Sequence, residues 1–136
     1  EAFLADAEEN GIQRLWFWES PRPFVVVGYG QSIEREVNVG ACTRREIPIL
    51  RRSSGGGTVV QGTGCLSYGL ALRAEHHPAL ASVTATNQWV MERQANALRR
   101  FPSLQVVIRG HTDLAVQHPS GTERKFSGNA QRRTRN

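Results

Sequence analysis

Hydrophobic positions along this 136-residue chain switch between two periods, and the switches mark out its elements. The opening AFLADAEEN follows a helical spacing and stops at Gly11, so residues 1 to 10 are expected to form a helix. RLWFWE (14–19) reads as a strand closed by Ser-Pro-Arg-Pro. FVVVGY (24–29) is nearly all apolar, which predicts a strand buried on both faces. NVGACTRRE (38–46) predicts a short helix ahead of Pro48, and PILRR (48–52) a strand that runs straight into three glycines. TVVQG (58–62) and CLSYGLAL (65–72) return to strand patterning. The longest helix is expected from about Pro78 to Arg100, with Leu80, Val83, Trp89, Val90, Ala97 and Leu98 on its apolar side and Pro102 as its stop. LQVVIRG (104–110) follows as a strand, and DLAVQ and RKFSGNAQ flank the polar turn HPSGTE as a hairpin.

Strands interspersed with helices and closed by a late hairpin predict an α/β or α+β fold, a mixed β-sheet packed with helices. No repeat, low-complexity tract or domain linker interrupts the pattern, so residues 1–136 are expected to form a single domain. The chain stops on QRRTRN directly after the hairpin, and the natural protein is expected to continue. Trp16, Trp18, Trp89 and Phe126 are expected in the core, and the four histidines at the surface.

Composition narrows the function classes. Apolar residues make up 39% of the chain, enough for a packed core, yet no run approaches the roughly 18 residues of a membrane span. The start has no charged-apolar-small leader pattern, and Cys42 and Cys65 are too few for a disulfide framework or a four-cysteine zinc site. A cytoplasmic protein with reduced thiols is the expectation. The net charge of +5 points to an anionic partner. Nucleic acid is disfavoured, because the arginines are scattered and neither aromatic-basic interleaving nor a helix-turn-helix pattern appears.

Of the 17 basic residues sixteen are arginine, and Lys125 is the single lysine. Two further features carry candidate chemistry. RRSSGGGTVVQG places Arg51, Arg52, Ser53 and Ser54 directly before Gly55, Gly56 and Gly57. Bare backbone lets a ligand approach closely, and successive N–H groups can cradle an anion. Alternation should send the two arginines to opposite sides, one toward the anion, the other to solvent or a carboxylate. The second feature is ERKFSGNA, where alternation puts Lys125 and Ser127 on one face and Phe126 on the other, with Gly128 allowing close backbone approach. Asp113, at the start of the facing strand, is a candidate magnesium carboxylate. Two look-alikes fail: GYGQSI carries Ile33 where a dinucleotide fingerprint needs Gly or Ala, and Thr63-Gly64 follows Gly62 where a P-loop needs Lys-Ser/Thr.

Taken in order and spacing, RRSSGGGTVVQGTGCLSYGLAL, HTDLAV and ERKFSGNAQRR resemble the catalytic domain of the lipoate-protein ligase A family, within the biotin/lipoate ligase superfamily. The opening RLWFWESPRPFVVVGYGQ and EVNVGAC are similar to that family's first strands, so the resemblance covers essentially the whole chain. It implies ATP-dependent activation of lipoate to lipoyl-AMP and transfer of the acyl group to a lysine of a lipoyl acceptor domain. Such acceptors belong to 2-oxoacid dehydrogenase complexes or are the glycine cleavage H protein. By the same resemblance Lys125 contacts the lipoate carbonyl and the α-phosphate. Arg52, Ser54, Gly55, Gly56, Gly57, Thr58, Val59, Val60 and Gln61, with Ser127 and Gly128, bind ATP or acyl-adenylate, and Asp113 places Mg2+. Gln61 departs from the histidine that many members carry there, and Thr112 from an asparagine. A cysteine-dependent octanoyl- or lipoyl-transferase of the same superfamily is the nearest alternative. Its nucleophile lies a little upstream of the lysine motif, and residues 102 to 124 contain no cysteine. Cys65 is expected to be a small buried side chain.

Overall fold

Phe24–Val27 (β2) is the strand around which the first part of the chain is organised. It pairs in parallel with Ile49–Arg51 (β3) and antiparallel with Val59–Gln61 (β4), giving a small mixed sheet in the order β3-β2-β4. The parallel crossover from β2 to β3 is made by two short helices, Ile33–Glu36 (α1) and Val39–Arg44 (α2). The structure is a computed structural model in which residues 2–134 are described. The chain falls into two compact units, one running to Arg73 and taking in residues from Gln131 onward, the other Ala74–Ala130.

The crossover covers one face of the mixed sheet. Val25, Val27 and Cys42 are buried there, with Ile33, Val37, Ile47 and Ile49 packed around them. Phe24 and Val26, on the other face, stay half-buried, so the expectation of a strand buried on both sides is corrected. Asn38 caps the second crossover helix by accepting a hydrogen bond from the Ala41 amide at 2.9 Å.

The same unit holds a second nucleus. The N-terminal helix Ala2–Asn10 (α3) ends at Gly11, whose φ of +69° is the left-handed conformation glycine adopts without strain. Arg14–Trp18 (β1) pairs antiparallel with Ser67–Ala71 (β5), and Trp16 lies opposite Gly69. The Trp16 indole rests on that glycine and meets Phe3 of α3 at 4.7 Å between ring centroids. Asp6 of α3 accepts hydrogen bonds from Asn10 and from the Arg14 guanidinium, which together hold its carboxyl below the usual range. Trp16 is half-buried and Trp18 is 43% exposed, which corrects their placement in the core.

In the second unit, Val83–Leu98 (α4) packs against the antiparallel sheet Val106–Arg109 (β6), Asp113–Gln117 (β7) and Glu123–Gly128 (β8). Met91, Ala95, Val106 and Leu114 form its buried centre. The helix begins five residues later than its apolar pattern suggested. Ser82 caps it by accepting from the Ala85 amide, and Pro78–Leu80 forms a separate 3-10 turn. His77 caps that turn through Nδ1 and lies against Trp89, so this histidine is half-buried, as is Trp89 itself. No helix among the described residues is long and apolar enough to cross a membrane.

The Trp16–Gly69 contact gives a direct test of the first unit. A Cβ at position 69 would lie 2.0 Å from the indole, so Gly69→Ala must displace a large, partly buried ring. Urea denaturation is expected to show a loss of about 1–3 kcal/mol, the usual cost of overpacking. An unchanged midpoint would mean that Trp16 does not pack there.

Candidate functional site

Each unit carries one set of the residues singled out in the sequence. In the first unit, β3 delivers the chain into the glycine loop, and β4 takes it away again. The loop lies against the turn that follows β2. A Cβ at Gly28 would sit 1.9 Å from the Gly56 carbonyl oxygen, so the two backbones touch at a distance only glycine permits. The Tyr29 amide donates to the Ser54 carbonyl at 3.0 Å, and the Arg52 amide to the Val27 carbonyl at 3.0 Å. Gly56 itself has φ +96°, a conformation that side chains rarely adopt.

Both arginines are spent on carbonyls. Arg52 donates from Nε and Nη2 to Gly55 O, from Nη2 to Gly57 O at 2.8 Å, and from Nη1 to Val26 O at 3.4 Å. Arg51 donates from a single nitrogen, Nη1, to the carbonyls of Gly28, Tyr29 and Gln31 at 2.8, 3.1 and 2.7 Å. Alternation does send them to different partners, but neither forms an ion pair with a carboxylate among the described residues. Glu34, hydrogen-bonded by Ser32 at 2.7 Å, has its carboxyl held below the usual range by that bond, and the charge of Arg51 adds to the effect.

What the loop offers outward is mainly bare backbone. Gly55, Gly56 and Gly57 are exposed, Ser54 is half-buried, and Val59 and Val60 are 44% and 69% exposed. The Thr58 hydroxyl is buried with no hydrogen-bond partner, an unspent polar group beside the triple glycine. Gln61 closes β4, opposite Phe24. Cys65 follows in the turn before β5 and is exposed, so its expected burial is corrected, while Cys42 is buried.

In the second unit, the hairpin brings Lys125, Asp113 and Gly128 together. Lys125 Nζ lies 2.7 Å from Asp113 Oδ2, with the two side chains 60% and 32% exposed. Thr112 Oγ1 donates to the other carboxylate oxygen at 3.3 Å. Gly128 is opposite Asp113, and a Cβ there would meet Lys125 Cε at 3.3 Å and Nζ at 3.4 Å. Asn129 then ties the strand end to the Thr112 carbonyl through both its amide and its side chain.

The strand alternation expected around Lys125 is broken. Leu114 is opposite Ser127 and Ala115 opposite Lys125, which leaves Phe126 as the extra residue of a β-bulge. Adjacent positions on β7 face opposite sides, so Lys125 and Ser127 do not share a face as expected. Phe126 is 48% exposed and is not a core anchor. Sequence alternation has no way to register an inserted residue.

Among the described residues no three His, Cys, Asp or Glu side chains gather as metal ligands. Asp113 offers one carboxylate, already on an ammonium. Magnesium keeps several waters and takes one or two carboxylates together with substrate phosphates, so these residues fit it only as part of a metal–nucleotide complex. The contact that sequence reasoning missed is the one between Gly28 and Gly56. Its signal was GYGQ, which matters here as a tight turn rather than as a fingerprint.

Comparisons with known proteins agree on one family. A family model described as the lipoyl protein ligase A/B catalytic domain matches residues 1–136. A lipoate-protein ligase A from Blochmanniella pennsylvanica is 28% identical over 120 residues, covering 88% of this chain and 32% of that protein. The octanoyltransferase LipM from Oceanobacillus iheyensis is 22% identical over 134 residues, covering 89% of this chain and 48% of that protein. Among solved structures, the chain is similar to the bipartite lipoate protein ligase of Thermoplasma acidophilum, described with its E2 lipoyl domain. The TM-score is 0.77 at 25% identity, covering 92% of this chain and 48% of that one. The chain thus spans a third to a half of the length of these relatives.

Gly128 tests the geometry around Lys125. A valine side chain there is expected to push the ammonium off Asp113, lengthening the 2.7 Å contact past about 4 Å in a structure of the variant. Folding stability should change by less than about 1 kcal/mol, because the pair is solvent-exposed. A Gly128→Val structure with the pair intact would show that the bare backbone is not what admits Lys125.

Proposed function

The chain belongs to the lipoyl protein ligase A/B catalytic-domain family, and from that premise we propose that it acts as an ATP-dependent lipoate-protein ligase. In this reading a lipoate carboxylate oxygen attacks the α-phosphorus of ATP, the bond to the β-phosphate breaks, and pyrophosphate leaves. The amine of an acceptor-domain lysine then attacks the acyl carbon of lipoyl-AMP, forming an amide and releasing AMP and a proton. Support for such an acceptor comes from the archaeal relative described with its E2 lipoyl domain.

The observation that carries the reading is the Lys125–Asp113 pair at 2.7 Å with Gly128 beside it. Joining a carboxylate to a phosphate brings two anions together, and a fixed cation offsets their repulsion most in the transition state. An exposed ion pair is worth only about 0–1 kcal/mol, so Lys125 can leave Asp113 for an arriving anion at little cost. Asp113, freed of its partner, would help hold magnesium that arrives on the phosphates, where the metal supplies further charge neutralisation. The glycine loop suits the nucleotide or acyl phosphate. Its exposed backbone is available for phosphate oxygens, with Arg52 keeping the loop in shape.

A second reading rests on the exposure of Cys65 and on the similarity to an octanoyltransferase. In it the cysteine thiolate would attack the carbonyl of an acyl-thioester donor and release the donor's thiol, then pass the acyl group to an acceptor amine, so ATP would not be needed.

Two experiments in the intact protein separate these. Mixing it with ATP, magnesium and lipoate should yield lipoyl-AMP by mass spectrometry. Lys125→Ala should lower that rate by roughly 10²-fold or more, and Lys125→Arg nearly as far, since a planar fork does not replace a compact ammonium. Adenylation by Lys125→Arg at close to the normal rate would sink the assignment of Lys125. Cys65→Ser should retain most transfer activity. Loss of transfer, with an acyl-thioester trapped on the unmodified protein, would instead establish the transferase.

A further inference from the structure

Of the two arginines before the triple glycine, only Arg52 is expected by family resemblance to serve the ligand. Arg51 has a different geometry. Its Nη1 meets three carbonyls in the turn after β2, those of Gly28, Tyr29 and Gln31, all within 3.1 Å. That turn has only one internal backbone hydrogen bond, from the Gln31 amide to the Gly28 carbonyl at 3.1 Å. The carbonyls of Gly28, Tyr29 and Gln31 instead converge on the Arg51 guanidinium. The same turn is pressed against the glycine loop at Gly28–Gly56 and joined to it by the Tyr29–Ser54 hydrogen bond.

We propose that Arg51 is a positioning residue: by gathering the carbonyls of the Gly28–Gln31 turn, it holds that turn against the glycine loop and fixes the loop's shape for the phosphate-bearing ligand without touching that ligand. This rests on the reading of the glycine loop as a nucleotide or acyl-adenylate site. Gly28 and Gly56 form the contact, and Arg51 is the clamp that keeps it closed. A loop with three consecutive glycines has no side chains of its own to restrict it, so its shape must come from neighbours.

The geometry makes a prediction that separates the two arginines. Arg51 turns one nitrogen, with two N–H groups, to three acceptors, so one N–H is shared, whereas a lysine ammonium carries three N–H groups on one nitrogen. Arg52 uses Nε, Nη1 and Nη2 on carbonyls from different residues, a spread that a single ammonium cannot span. Arg51→Lys should therefore restore what Arg51→Ala loses, whereas Arg52→Lys should behave like Arg52→Ala.

The test measures two quantities on the intact protein and these four variants. One is amide hydrogen exchange at Tyr29, Gln31 and residues 53–57, and the other is affinity for ATP by titration. Arg51→Ala should speed exchange at Tyr29 and Gln31 and weaken ATP binding by about tenfold or more, the loss expected for charge-assisted hydrogen bonds. Arg51→Lys should recover both. Unchanged exchange in Arg51→Ala would overturn the positioning role whatever happens to the nucleotide. Faster exchange with unaltered ATP affinity would overturn the link from turn to ligand. Failure of the unmodified protein to bind ATP would sink the proposed function and with it the link to ligand, while exchange in Arg51→Ala would still decide whether Arg51 clamps the turn.

Discussion

The contact between Gly28 and the Gly56 carbonyl constrains everything around the glycine loop. Two turns brought that close leave their carbonyls crowded, with no strand partner to satisfy them. Arg51 and Arg52 supply the missing donors, one to each turn. An arginine pair ahead of three glycines looks like a charge reserved for an anion, but here much of it is internal bracing. What is left for a ligand is the exposed backbone of Gly55 to Gly57. A phosphate bound there would meet dipoles held in place beforehand, the arrangement that costs least reorganisation when charge develops.

The second unit handles its cation differently. Lys125 rests on Asp113 in an exposed pair, with the 112–113 corner pinned by Asn129 and the close side kept open by Gly128. The β-bulge at Phe126 changes which way the neighbouring side chains turn, a common use of bulges near functional groups. Arg52 is held by several carbonyls at once, whereas Lys125 is held by a single carboxylate that it can exchange. The first suits a scaffold, the second a group that can change partners.

Much of this was legible from the sequence. Strand and helix periodicity located the strands, the short helix before Pro48 and the hairpin, and the order of the motifs pointed to the family that the comparisons establish. The failures have specific causes. Apolar runs do not say how many faces are covered, so β2 looked fully buried when the crossover protects one side only. A capping serine overrides an apolar pattern, which moved the start of the long helix to Val83. Trp16 looked like core and is half-buried, because its ring is covered only in part, by a glycine on the paired strand more than fifty residues on and by Phe3 of the preceding helix. Long-range pairing of this kind leaves no local trace.

The basic composition takes on meaning once the partners are seen. A planar fork suits carbonyls that lie apart and stay put, and that describes Arg52. A point charge suits a position where several oxygens converge on one spot, or where one oxygen must be traded for another. Arg51 meets converging carbonyls with a single nitrogen of its fork, so its task could be done by an ammonium. Lys125 meets a single carboxylate, with its side chain 60% exposed and the bare backbone of Gly128 beside it. A compact ammonium on a flexible stem can trade that one oxygen for another, whereas a planar fork is built for oxygens that lie apart.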